Sequence, residues 1–238
     1  QSIPTGCVRK SFGYLFFRKG TVPSHKQKKG NNKRTILKIR KAMRVGVGIT
    51  GASGTIYAER LLVRLLGAGE RVESVAVVFS RNGRAVAQHE RPAFFGWLDE
   101  QVRAGRIVEY RNDDFFTPPA SGSAGYDAWV VVPCSMGMAG RIAGGVSDDL
   151  LSRAADVMLK ENSPRRPRTL ILCPRETPLS LVHLRNLTAL CEAGAIVLPA
   201  MPAFYSAPQT LEEAVDTVVE RILAHLGLLP TGYVGWQE

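Results

Sequence analysis

The stretch Arg44-Val45-Gly46-Val47-Gly48-Ile49-Thr50-Gly51-Ala52-Ser53-Gly54-Thr55-Ile56-Tyr57-Ala58-Glu59-Arg60-Leu61-Leu62-Val63-Arg64-Leu65-Leu66 decides the fold. Arg44–Ile49 is an apolar run of strand character, and from Thr55 to Leu66 the apolar residues recur at helical spacing. Thr50–Gly54 between them is a Gly-rich turn, so the order is strand, turn, helix. Such a turn leaves backbone N–H groups free at a helix start, where the helix dipole also favours negative charge. A phosphate is the natural guest; the competing reading is a tight turn that binds nothing. Gly46-x-Gly48-x-x-Gly51 formally matches the dinucleotide fingerprint, but Gly46 and Gly48 fall inside the strand and not in the turn. That fingerprint also needs an acidic residue ending the second strand, to hold a ribose diol. The second apolar run, Val72–Phe79, ends in Ser80, and a hydroxyl there suits a flavin mononucleotide better than a nicotinamide dinucleotide.

Outward from this unit the alternation continues. Val72–Phe79 is near-continuously apolar, as a buried parallel strand should be. Arg81–Glu90 reads as a helix with Ser80 as its N-cap, Pro92–Ala104 as a second helix, and Ile107–Tyr110 as a short strand. Asn112–Ser123 is a loop, broken by Pro118 and Pro119. Strand Ala128–Val132 leads through Pro133-Cys134-Ser135-Met136-Gly137 to helices Met138–Gly144 and Leu150–Leu159. Strand Thr169–Cys173, helix Leu181–Cys191, strand Ala195–Leu198, loop Pro199–Pro208 and helix Leu211–Leu226 follow. Alternating strands and helices argue for a parallel sheet with helices on both faces.

The chain has 238 residues, 45% of them hydrophobic, enough for one sizeable α/β domain. No apolar run approaches the ~20 residues that span a bilayer. The formal charge of +10 is uneven: residues 1–42 hold 12 Lys/Arg and no acid, leaving 19 basic against 21 acidic residues in 43–238. The domain is therefore nearly neutral, which argues against a nucleic-acid groove. Residues 1–42 read as a basic, disordered extension and 43–238 as the folded domain. Gln1 is not an initiator, and Met43 directly before the first strand is a natural start. The acid-free leader also fits an organellar transit peptide, the mitochondrial alternative to a cytoplasmic location. Cys7, Cys134, Cys173 and Cys191 show no CxxC pairing, so free thiols in a reducing compartment are expected. Cys, His and carboxylates show no metal-ligand spacing.

In open parallel sheets ligands sit beyond the carboxyl ends of the strands. Gly51–Gly54, Ser80, Cys134–Gly137, Arg175-Glu176 and Phe204-Tyr205 all fall there. Cys134 offers a nucleophile with His183 as base; the competing reading is a small packing residue, with Ser135 and the neighbouring N–H groups binding a flavin ring or phosphate. Arg175 and Glu176 are either a surface ion pair or a phosphate clamp beside a partly buried proton shuttle. Arg153, Asp156 and Lys160 share one helix face.

The motifs Thr50–Gly54, Pro118-Pro119-Ala120-Ser121-Gly122-Ser123, Pro133-Cys134-Ser135, Arg153-Ala154-Ala155-Asp156-Val157, Leu159-Lys160-Glu161, Pro174-Arg175-Glu176-Thr177-Pro178 and Pro202-Ala203-Phe204-Tyr205 closely resemble those of the UbiX-like flavin prenyltransferases. The resemblance runs from Met43 to about Trp236. It implies a flavodoxin-like or Rossmann-like three-layer αβα sandwich with a mainly parallel sheet, assembled as a homo-oligomer, commonly a dodecamer. It further implies binding of reduced FMN and dimethylallyl monophosphate without a metal. The prenyl group joins flavin N5 and then C6, and the prenylated FMN serves a UbiD-type decarboxylase. By the same resemblance Gly51, Ala52, Ser53, Ser80, Cys134, Ser135, Met136 and Arg153 match FMN contacts, Ser53 lying near flavin N5. Lys160, Arg175, Tyr205 and Arg221 match prenyl-phosphate contacts, Glu90 a carboxylate arriving from a neighbouring subunit, and Glu176 the acid/base residue, its carboxylate in a cleft shared with Arg175 and Ser53. Phe115 stands in the aromatic wall where some relatives have Trp, and Trp236 near a C-terminal lid. The connection Asn162–Arg168 is several residues longer than is usual. A related cysteinyl-peptide decarboxylase and a non-catalytic flavin-binding subunit are the alternatives. The first carries Pro-Ala-Ser-Ala-Asn-Thr where this chain has Pro-Ala-Ser-Gly-Ser; the second has no need of a second phosphate site.

Overall fold

A computed structural model describes residues 42–229, which lie in the unit Arg40–Glu238; the expectations for residues 1–41 and for Trp236 concern residues outside that range. Strands β1 (Met43–Ile49), β2 (Val72–Phe79), β3 (Ile107–Tyr110), β4 (Ala128–Cys134), β5 (Thr169–Pro174) and β6 (Ile196–Val197) form one sheet in the order 3-2-1-4-5-6. Every neighbouring pair is parallel. This is the doubly wound order of Rossmann-type sheets, and its switch point lies between β1 and β4.

Alternation within β1 assigns the two faces. Val45, Val47 and Ile49 enter a core shared with helices α1 (Thr55–Leu66), α2 (Gly83–Glu90), α3 (Pro92–Arg103) and α7 (Leu211–Leu226). The opposite core joins Trp129, Val131 and Leu151 under α4 (Met136–Ala143), α5 (Leu150–Lys160) and α6 (Leu181–Glu192). Gly46 and Gly48 face that second core. A Cβ on Gly46 would stand 1.9 Å from the Trp129 ring, and one on Gly48 2.9 Å from Leu151. Both are packing glycines, which is why they imitate a fingerprint without forming a turn.

Several boundaries differ from the sequence reading, three of them beside the carboxyl edge of the sheet. Helix α2 starts at Gly83, and Ser80 is not its N-cap, because Ser80 N–H donates to Ile49 O at 2.8 Å and Ser80 O accepts from Gly83 N–H at 2.9 Å. A side chain at Gly83 would meet Ile49 O at 2.3 Å. Strand β4 continues through Pro133 to Cys134, with a register irregularity after Val131 and a cis Val132–Pro133 bond. Helix α4 starts at Met136 because Ser135 caps it, accepting from Met138 N–H at 3.3 Å. The loop after β3 holds short 3-10 turns at Pro118–Ala120 and Gly122–Ala124. Among the described residues no helix is long and apolar enough to cross a membrane.

Candidate active site

The carboxyl ends of β1 and β4 are stitched together by Thr50. Its buried hydroxyl donates to Pro133 O at 2.7 Å and accepts from Ser135 N–H at 2.8 Å. This fixes the Gly51–Gly54 turn beside the start of α4 at the switch point. A cleft of about 340 Å³ opens there, lined by Gly51, Ser80, Arg81, Asn82, Ser135, Gly137, Met138, Arg141 and Asp149. A Cβ at Gly137 would meet nothing within 4 Å, so the mouth of α4 is open to it.

The turn itself is occupied by a carboxylate. Glu90, the last residue of α2, accepts from Gly54 N–H and Thr55 N–H, both at 2.9 Å. Partial burial pushes its carboxyl pKa up, but hydrogen bonds from the Ser53 side chain and the Thr55 and Gly54 N–H groups outweigh that and hold it below the ordinary value. The adjacent Arg91 forks onto Glu59 of α1 at 2.7 and 3.2 Å, which fastens the end of α2 to α1. Glu90 was expected to arrive from a neighbouring subunit; in this structure it closes the helix start of its own chain.

Arg175 follows β5, its N–H donating to Cys134 O at 3.2 Å. Its Cγ lies 3.9 Å from where a Cβ on Gly54 would stand, beside the Tyr57 ring at 3.2 Å. Gly54 has φ +118°, so glycine is required there on backbone grounds as well. The Tyr57 phenol is raised, by burial first and by Cys173, with the Arg175 charge pulling it back. Glu176 does not point into this cleft as expected: its exposed carboxylate folds onto the Thr177 N–H at 3.1 Å.

Other residues stand further out. Ser53 is exposed, and Ala52 and Met136 are buried. Cys134 is fully buried and its thiol pKa is pushed far up by burial, while His183 Nδ1 accepts from Ser180 N–H in the α6 cap. The Cys134–His183 nucleophile is thereby excluded. Arg153 spans Ala120 O at 3.1 Å and Asp156 at 2.9 Å. Phe115 is exposed on the loop beyond β3. Ala203 N–H donates to Thr217 Oγ1 at 3.0 Å, holding the exposed Tyr205 loop one helical turn from Arg221 on α7. Lys160 is not brought to this cleft. Helix α5 is capped by Asp149, which lines the cleft, and runs 11 residues from Leu150 to Lys160. At 1.5 Å per residue that is roughly 16 Å towards the opposite edge of the sheet. Neither Lys160 nor Arg221 pairs with a carboxylate among the described residues.

The Flavoprotein family matches residues 34–224. Flavin prenyltransferase UbiX of Synechocystis sp. is 42% identical over 203 residues, covering 80% of this chain and 94% of that protein. The chain belongs to the UbiX-like flavin prenyltransferase family. Among solved structures, AnUbiX (PadA1) in complex with FMN and dimethylallyl pyrophosphate matches with TM-score 0.69 and 36% identity, over 82% of this chain and 100% of that one. The dodecameric FMN-dependent Ubix-like decarboxylase from Escherichia coli O157:H7 matches with TM-score 0.73, again at 36% identity and over 82% and 100%.

Two residues that position this UbiX-like site escape a reading of the sequence. Thr50 shows only as a turn residue until β4 lies next to β1. Asn112 shows only as a loop residue, yet its O and Oδ1 accept from Leu150 and Leu151 N–H at 2.8 and 2.9 Å and seat the loop on the start of α5. No local signal marks either one, because each acts on a strand or helix distant in sequence.

Proposed function

We propose that this chain is a flavin prenyltransferase that transfers a dimethylallyl group from dimethylallyl monophosphate to reduced FMN. The carrying observation is the meeting of Ser53, Glu90 and an unpaired Arg175 at the switch-point turn. The cleft suits FMN: it offers the open α4 start, the Ser80 and Ser135 hydroxyls and the Arg81 guanidinium at one edge. FMN, when bound in reduced form, supplies the N5 and C6 atoms that accept the prenyl group. Gly51, Ala52, Ser80, Cys134, Ser135, Met136 and Arg153 form its seat, Cys134 from beneath. Arg175, Arg221 and Tyr205 hold the donor phosphate and neutralise it as it leaves. Glu176 gives the departing phosphate a proton, Ser53 orients the acceptor edge, and the Phe115 face steadies cationic charge on the dimethylallyl group.

On this reading Lys160, roughly 16 Å along α5 from the cleft, serves a neighbouring copy's site, so that assembly completes it. The apolar face of α6 supports this: only Leu190 is buried on that helix, while Leu181 and Val182 are 61% and 63% exposed. We read the assembly as a dodecamer, its location as cytoplasmic, and the recipient of prenylated FMN as a UbiD-type decarboxylase. Leu181→Asp with Val182→Asp should convert the assembly to smaller species by light scattering; an unchanged mass would take α6 out of the interface.

The function is tested by incubating the protein with reduced FMN and dimethylallyl monophosphate and weighing the flavin product. A prenylated flavin, formed equally in the presence of a chelator, is expected. No adduct, or loss on chelation restored by a divalent metal, would overturn the reading.

A further inference from the structure

The amino edge of the sheet, opposite the cleft, carries cations for which the transfer has no use. Arg44 is the second residue of β1, Arg168 directly precedes β5, and the turn at Gly122–Ala124 shortly precedes β4. Arg168 is only 5% exposed. Its Nη2 donates to Gly122 O at 2.6 Å, while its Nε and Nη1 are buried without any acceptor. Arg44 Nη1 donates to Ala124 O, and its guanidinium lies 5.0 Å over the Tyr126 ring. Arg166 Nη2 and Arg44 Nη1 stand 3.0 and 3.9 Å from where a Cβ on Gly125 would be. Three guanidinium groups thus converge on one turn.

None of the three pairs with a carboxylate among the described residues. Glu161 and Asp127 attract Arg168 only through space, burial and the Arg166 charge work against its protonation, and one Asp127 oxygen is taken by the Arg44 N–H. A guanidinium presents five N–H donors. Burying one without an anionic partner is costly, and like charges around one turn add repulsion. The turn supplies neutral carbonyl oxygen, and the Glu161 carboxylate lies against it, its Oε1 2.4 Å from where a Cβ on Gly122 would stand, without pairing with any of the three guanidinium groups; what they lack is a compact anion with several acceptors. The loop responsible is the long connection Asn162–Arg168. It is folded tightly by Ser163 and Arg166, whose backbones bond at 3.0 and 3.3 Å, and by Asn162 Oδ1, which accepts from Arg168 N–H at 3.0 Å. We propose that Arg44, Arg166 and Arg168, with the 122–125 turn, form a binding site for a phosphate-class oxyanion at the amino edge, separate from this chain's flavin cleft.

Equilibrium dialysis of the full chain with labelled inorganic phosphate, at constant ionic strength in chloride, tests this. With FMN bound to fill the flavin cleft, Arg175→Ala with Arg221→Ala removes the remaining phosphate binding at the carboxyl edge. On that background about one phosphate per chain should remain bound, and adding Arg166→Ala should weaken it at least about tenfold, as expected for losing a charge-assisted contact. Arg166 is exposed, so its removal spares the core; Arg168→Met, checked for folding by circular dichroism, should act in the same direction. In the otherwise unaltered chain Arg166→Ala should leave the KM for dimethylallyl monophosphate unchanged. Absence of the remaining phosphate, indifference to Arg166→Ala, or equal competition by chloride would overturn the site. A raised KM would assign these arginines to prenyl transfer and overturn its separateness.

Discussion

Glu90 and Glu176 both stand at the carboxyl edge of the sheet, and the chain treats them in opposite ways. Glu90 ends α2 and is gripped by the Gly54 and Thr55 N–H groups, with the Ser53 side chain beside it. Glu176 follows β5, is exposed, and accepts only the N–H of its own neighbour, Thr177. A carboxylate stabilised as an anion by several donors is a poor acid at neutral pH. A loosely held carboxylate beside Arg175 is free to turn towards a phosphate oxygen that needs a proton. On the proposed reading, the gripped carboxylate holds the turn and the loosely held one moves the proton.

The sharpest way to break this division is to exchange each carboxyl for its amide. Glu176→Gln should slow prenyl transfer by ~10²–10⁴-fold, the usual range for loss of one general acid, with FMN affinity nearly unchanged. Single-turnover spectra of reduced FMN with dimethylallyl monophosphate give the rate, and flavin titration the affinity. If Glu176→Gln turns over at the wild-type rate while Glu90→Gln stalls, the two roles are reversed.

How much of this contrast was legible depends on whether a residue acts locally. Helices α1 and α7 are bounded as the periodicity predicts, because their apolar stripes are local signals. The Gly-rich turn between β1 and α1 was legible for the same reason. That its N–H groups are taken by Glu90 was not, since this needs α2 to return onto α1 through the Arg91–Glu59 fork. The resemblance set Lys160 beside Arg175, and only the direction of α5 against the strands separates them. Glu176 is adjacent to Arg175 in sequence, yet adjacency says nothing of where a side chain turns at a strand end.

Smaller effects sharpen the comparison. Arg175→Met keeps the stem that lies against Gly54 and removes the charge; the KM for dimethylallyl monophosphate should rise by about 10- to 100-fold, the scale of a lost charge-assisted hydrogen bond to phosphate. A change in kcat alone would shift Arg175 from holding substrate to chemistry. For Glu90→Gln the expected signature is in stability against pH. A folded-state pKa below the unfolded reference of 4.5 stabilises the native state above that reference. The contribution is lost as pH falls through the lower folded value. Wild type should therefore melt higher than Glu90→Gln at neutral pH by an amount corresponding to about 1 kcal/mol, allowing for screening at this partly exposed site. The gap should close as pH falls below 4.5. A gap independent of pH would mean that the carboxylate's charge contributes nothing at the helix start.

The smallest effect is expected at Arg91, which touches neither the turn nor the cleft. Its fork onto Glu59 is half exposed, with side-chain exposures of 38% and 23%, so the pair contributes roughly 0.5 kcal/mol. Arg91→Ala should cost about that in stability, a few-fold at most in the folding equilibrium. Its more telling consequence lies in Glu90. With the end of α2 unfastened, the carboxylate spends less time on the Gly54 and Thr55 N–H groups, and its pKa should relax upward towards the ordinary value. The pH dependence of melting in Arg91→Ala should therefore fall between those of wild type and Glu90→Gln, and Arg91→Lys should restore part of it. Combining Arg91→Ala with Glu90→Gln should add no further loss of pH dependence, because the fork acts through the carboxylate it positions. Fully additive effects would show that Arg91 only braces α2 against α1, and that Glu90 finds the turn without it.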